Sequence, residues 1–231
     1  GNLGVTEDAS RVRKIFNAAA LFNHWAFGFA AVCLFELLNP FVELSFGEKY
    51  LFEMNVVFIL CVNFYIYGIT KTSKIFHNSL GLFWYDRYKA IIEAVINLAA
   101  SLLLVRSLGV FGIFLGTFVS TVMTTLWVEP YVIYKYHFKE PVYPYYLNMF
   151  FYFVQTAAAW GAAHFLCVEA QHILGITGTI SLMALRLVIV TVTVNIIYII
   201  FNIRSENFGF LWGKFIRLVK DRKQSRNGEV K

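Results

Sequence analysis

Long apolar runs separated by short polar breaks dominate this chain. A helix needs roughly 20 mostly apolar residues to cross the hydrocarbon of a bilayer. Six stretches meet or approach that length: 15–38, 50–69, 90–105, 108–128, 145–168 and 179–201. Asn39 and Pro40 predict the end of the first, and Glu129 and Pro130 the end of the fourth. At ~1.5 Å per residue the third is shorter than the bilayer core. It needs Tyr88 and a snorkelling Lys89 to complete it. The connection at 106–109 is tight, so spans three and four are expected to form a helical hairpin. The pattern predicts an all-α fold, a polytopic membrane helix bundle of six transmembrane helices.

The positions of the basic residues give this bundle a direction. Of the 20 Lys and Arg, 17 fall before span one, between spans two and three, between four and five, or after span six. Lys49 and Arg106 fall on the other side, and Arg186 lies within span six. The positive-inside rule makes the crowded side cytoplasmic. Both ends of the segment are then cytoplasmic, as an even number of spans requires. Residues 1–10 hold no basic stretch followed by an apolar core, and position 1 is Gly rather than Met. The segment therefore reads as the C-terminal part of a longer protein. Thr6, Glu7 and Asp8 read as a helix cap with acids in its first turn. Phe208, Leu211, Trp212, Phe215, Leu218 and Val219 recur at helical spacing among basic residues. They predict an amphipathic helix on anionic membrane lipids.

Composition narrows the function classes. Hydrophobic residues make up 58% of the chain and charged residues 15%, with mean hydropathy +0.61. Soluble domains lie nearer ~45–50% and ~25%. Disorder is excluded by the apolar content. The net charge of +6 has no soluble face on which to bind nucleic acid, so no nucleic-acid partner is expected. Cys33, Cys61 and Cys167 are far apart in apolar runs and read as small buried hydrophobes. The five histidines show no HExxH spacing, and neither a GxSxG elbow nor a P-loop occurs. No enzyme activity, metal site or cofactor is expected.

Charge inside a membrane is costly and marks candidate function. Glu36 and Glu53 lie near the outer ends of spans one and two, within reach of water. Asp86, Ala90, Glu93 and Asn97 follow 4-3-4 spacing, which places them on one helical face flanked by Arg87 and Lys89. That face reads either as a polar path from the cytosol into the bundle or as a structural salt-bridge cluster. Arg186 reads as a snorkelling or acid-paired arginine. Asn55, Asn63, Gln155 and Asn195 are candidates for bonds between helices. Gly112, Gly116 and Ser120 form one small-residue packing stripe, and Ala158 and Ala162, with Ala157 and Gly161, a second. The five tryptophans read mostly as an interfacial belt.

Several segments resemble the polysaccharide flippases, of the O-antigen or capsular (Wzx) type, in the multidrug/oligosaccharidyl-lipid/polysaccharide exporter superfamily. They are GNLGVTED before span one, NPFVEL at its end, NFYIYG in span two, GLFWYDRYKAIIEAVINL into span three, and GVFGIFLGT and WVEPYVIYKY in span four. The resemblance implies a two-lobed fold of 12–14 helices. Residues 1–139 would be the last four helices of its second lobe, 140–203 two additional C-terminal helices, and 204–231 a basic amphipathic tail. It further implies alternating-access transfer of undecaprenyl-diphosphate-linked oligosaccharide across the bacterial cytoplasmic membrane, for polysaccharide biosynthesis. The implied partners are that lipid-linked oligosaccharide, the N-terminal lobe and a polysaccharide polymerase complex. Arg87 and Lys89 would attract the diphosphate, with Asp86, Glu93 and Asn97 along the glycan path. The alternatives are a drug/cation antiporter of the same superfamily, with Glu93 or Glu36 coupling to ions, and a non-transporting scaffold or inactive truncated fragment.

Overall fold

A computed structural model describes residues 9–214, 216 and 217. The Thr6 cap, Phe215, Leu218, Val219 and the other residues of 218–231 lie outside the described residues. The order is α1 (Ala9–Phe46), α2 (Met54–Ser79), α3 (Lys89–Met123), α4 (Thr125–Val132), α5 (Tyr143–Leu174) and α6 (Thr179–Asn202). Short 3-10 turns occur at Glu48–Tyr50 and Leu82–Trp84, and one π-helical stretch, Ile133–Phe138, continues α4. The described residues form no strand. Five helical stretches are long and apolar enough to cross a membrane.

Gly109 divides one of these stretches into two, giving six apolar helical arms compatible with a membrane bundle. Its φ of 57° and ψ of −137° break α3, a conformation open mainly to glycine. The chain reverses there, and the two arms zip together. Asn97 donates to Thr117 and Ser120, and Ser101 donates to the Ile113 carbonyl. Gly112, Gly116 and Ser120 are the buried residues of α3 and form the seam, as the small-residue spacing predicts. A Cβ on Gly116 would collide with Ser101 Oγ and lie 2.7 Å from Ser101 N. The outer face of the hairpin stays apolar and exposed, with Leu98, Leu102 and Leu103 all more than half accessible.

Helix α1 is the hub, packed against α2, α5 and α6. It runs straight through Asn39 and Pro40, where the sequence predicts an end. At ~1.5 Å per residue its 38 residues span roughly 57 Å, well beyond the ~30 Å of hydrocarbon. Helix α2 likewise continues past 69 to Ser79, and the fourth span past Glu129 and Pro130 to Phe138. Hydropathy marks the extent of each apolar run, and the helices continue beyond it. Asn39 ties this projection to the next turn: its side chain donates to the Phe52 carbonyl and accepts from the Phe52 amide.

At the basic end, Phe16 of α1 is fully buried, with Phe76, Tyr134 and Phe138 packed edge-on around its ring. Deeper in the bundle, Ala159, Ala163 and Cys167 of α5 pack on Val190, Val194 and Tyr198 of α6 and on Val32 of α1. This corrects the small-residue stripe expected on α5. Ala157, Ala158 and Gly161 are exposed, and the buried row lies one position along. Gln155 and Cys167 set that phase, since both are buried at four-residue multiples from Ala159. Two of the tryptophans also leave the expected belt. Trp25 donates to Asn195 inside the bundle, and Trp160 stacks near His164 midway along α5.

Of the four candidate amides, three do join helices. Asn63 donates to the Phe114 carbonyl, Gln155 accepts from Asn202, and Asn195 accepts from Trp25. Asn55 instead accepts from its neighbour's amide, Val56 N–H, and joins no second helix among the described residues. Cys33, Cys61 and Cys167 are free thiols, two buried and one half-buried.

Candidate functional site: a charged cleft at the basic end

A cleft of about 760 Å³ opens between α2, the turn leading into α3, α3 itself and α4. Lys71, Lys74 and His77 come from α2, which carries them beyond the apolar part of the helix. Asp86 and Arg87 come from the lead-in turn, Lys89 and Glu93 from the first arm of α3. Thr117, Thr121, Thr125 and Glu129 supply the opposite wall.

The charges interlock. Lys89 Nζ donates to Glu129 Oε1 and lies 3.9 Å from Asp86 Oδ2. Asp86 Oδ1 also lies 3.0 Å from His77 Nε2, without the alignment of a hydrogen bond. Thr125 donates to Glu93 at 2.8 Å. Glu129 is 2% exposed, and its Oε2 has no hydrogen-bond partner among the described residues. Arg87 is exposed and lies over the rings of Trp84 and Tyr88, 4.3 and 4.8 Å from their centroids. Such stacking holds a guanidinium at the surface while its N–H fork stays available. Lys71 sits over the Phe27 ring at 5.6 Å.

Asp86, Arg87, Lys89 and Glu93 thus line one cleft. The single helical face expected for them does not form, because α3 begins at Lys89 and Asp86 lies in the turn before it. Lys89 points in towards Glu129 rather than flanking. Asn97 is drawn away into the hairpin seam. Glu129 is the residue that sequence reading missed, having been taken as a helix terminator. The signal is present: Thr117, Thr121, Thr125 and Glu129 recur every four residues, which puts them on one face of a helix.

The remaining candidates lie elsewhere. Glu53 is exposed at the N-cap position of α2, where its carbonyl accepts from Val56 and Val57; it is not within a membrane helix. Glu36 is 2% exposed, deep in the bundle rather than at a wet helix end, because α1 continues ten residues beyond it. Its carboxylate accepts from His164 at 2.7 Å and lies 3.7 Å from Arg186. Arg186 also donates to the Glu36 carbonyl and to Gln171, both at 3.1 Å. No group of three or more metal-ligating side chains occurs among the described residues.

Comparison with protein-family models, with curated proteins and with solved structures found no match to this chain.

Proposed function

We propose that this chain is the C-terminal portion of a membrane flippase for isoprenoid-diphosphate-linked oligosaccharide, of the undecaprenyl type, working by alternating access in a bacterial cytoplasmic membrane. The observation that carries this reading is the cleft. Exposed cations, Arg87 and Lys74, lie at its mouth, and hydroxyls and an amide (Thr117, Thr121, Asn63) lie deeper. Cations suit a diphosphate, and neutral donors and acceptors suit a glycan. The sequence resemblance supports the same reading and implies an N-terminal lobe across the cleft. The exposed apolar face of the α3 hairpin suits either lipid or that lobe. The basic tail fits an anionic leaflet, and a polysaccharide polymerase complex would take the product.

The test is transfer of a fluorescent lipid-linked oligosaccharide across liposomes, with the chain reconstituted alone and together with its N-terminal lobe. Transfer is expected only for the pair. Arg87→Ala or Glu93→Ala should reduce it at least about tenfold, a loss of about 1.4 kcal/mol, with unchanged protein level. Transfer by the chain alone, or full transfer by both variants, would overturn the assignment.

One observation favours a second reading, a drug/cation antiporter. Asp86, Glu93 and Glu129 outnumber the single lysine bonded among them, so the inner cleft also suits a cation. Uptake of a lipophilic cationic dye by the same liposomes separates the two readings.

A further inference from the structure

The inner cleft contains a contest for one ammonium group. Lys89 is bonded to Glu129 and close to Asp86, yet its side chain is 15% exposed on the cleft wall. An anion entering from the basic end can therefore reach it. Glu129 has no such access to another counter-charge. It is nearly sealed, and one of its oxygens already lacks a partner among the described residues.

We propose that Glu129 is a built-in competitor for Lys89, and that binding of a diphosphate diester displaces it and loads one proton onto it. The exchange balances simply. Lys89 stays protonated, its hydrogen bond to the Glu129 carboxylate breaks, and one to a phosphate oxygen forms. A carboxylate left buried without counter-charge is strongly disfavoured, so a proton from the aqueous mouth converts it to the neutral acid. This inference rests on the reading of the cleft as a diphosphate site.

The surrounding groups leave no substitute for Lys89. From the lead-in turn Asp86 faces Glu129, and as an anion it only adds repulsion. From α3 Glu93 does the same and is held by Thr125. From α2 His77 is engaged at Asp86, and Lys71 and Lys74 lie further out, towards the entering anion. From α5 the Tyr145 hydroxyl faces Glu129 but is bonded to Ser73 at 3.1 Å.

The test uses the full chain in detergent and dimethyl diphosphate (one methyl on each phosphorus) as the probe. This diester is fully ionised at neutral pH, so any proton taken up belongs to the protein. Calorimetric titration in buffers of different ionisation enthalpy reads the proton count. The wild type should take up close to one proton per diester bound. Glu129→Gln should bind about tenfold tighter with no proton uptake, and Lys89→Met should lose binding. Wild-type binding without proton uptake, or no binding, overturns the proposal even if the variants fail to fold, and so does a folded Glu129→Gln that binds no tighter. Proton-linked diester binding without oligosaccharide transfer would remove the flippase reading and leave this exchange standing. Transfer without proton-linked binding would do the reverse.

Discussion

Pro40 and Arg186 solve one problem together. A proline inside a helix has no N–H for the carbonyl four residues back. For Pro40 that carbonyl belongs to Glu36, and Arg186 donates to it at 3.1 Å while also facing the Glu36 carboxylate. One guanidinium therefore satisfies a backbone gap and a buried charge. Removing it with Arg186→Leu should destabilise the bundle by about 3 kcal/mol, since a buried carboxylate loses its cation. Combining it with Pro40→Ala restores the missing N–H and should recover about 1 kcal/mol. Thermal unfolding in detergent measures both, and strictly additive effects would sever the link. That Arg186 either snorkels or pairs with an acid was legible in the sequence, because an arginine in an apolar span must do one or the other. Which acid it meets was not. Glu36 and Arg186 are 150 residues apart, and Asn39 with Pro40 pointed to a helix end that this very contact prevents.

At the scale of the elements, the α3 hairpin was the easiest part to read. A short span, a tight polar connection and small residues every four positions all agree, and the arms pack on those residues. The seam makes a sharp expectation. In Gly116→Val the new carbons would press on the Ser101 backbone nitrogen, which cannot rotate away. Overpacking of this kind costs about 1–3 kcal/mol. A cysteine pair at positions 97 and 120, whose native side chains are in hydrogen-bond contact, should then lose its disulfide cross-link. Gly161→Val is the control, because a Cβ there meets nothing within 4 Å, and cross-linking should persist. Equal cross-linking in both would show that the arms are not held by this seam. Helix α5 was harder to phase. Its run of alanines around Trp160 offers small residues on every face, so size alone could not choose Ala159 and Ala163 over Ala158 and Ala162. The polar Gln155, four residues before Ala159, marks the right face. The cleft was half legible for a related reason. Asp86, Lys89 and Glu93 are neighbours in the chain, but Glu129 is brought to them by the hairpin reversal and lies beside a proline that drew attention to chain termination.

For the whole molecule, side-chain pairs from distant helices fix which loops share an end. Arg13 meets Glu140, Tyr134 donates to Asn17, and Lys89 meets Glu129. These bonds gather the start of α1, the α2–α3 turn and the α4–α5 turn at one pole. The 3-10 turn at Glu48–Tyr50 and the reversal at Gly109 lie at the other. The described Lys and Arg crowd the first pole, and Lys49 and Arg106 mark the second. Basic loops are retained in the cytoplasm during insertion, so the cleft should open to the cytosol. Cysteine labelling tests this directly once Cys33, Cys61 and Cys167 are replaced by alanine. A membrane-impermeant maleimide should modify Glu48→Cys in intact cells. It should reach Arg87→Cys, exposed at the cleft mouth, only after the membrane is opened. Modification of position 87 in intact cells, with position 48 protected, would place the cations outside. A cleft facing that way would receive its ligand from the exterior, and export from the cytosol would have to be abandoned in favour of uptake.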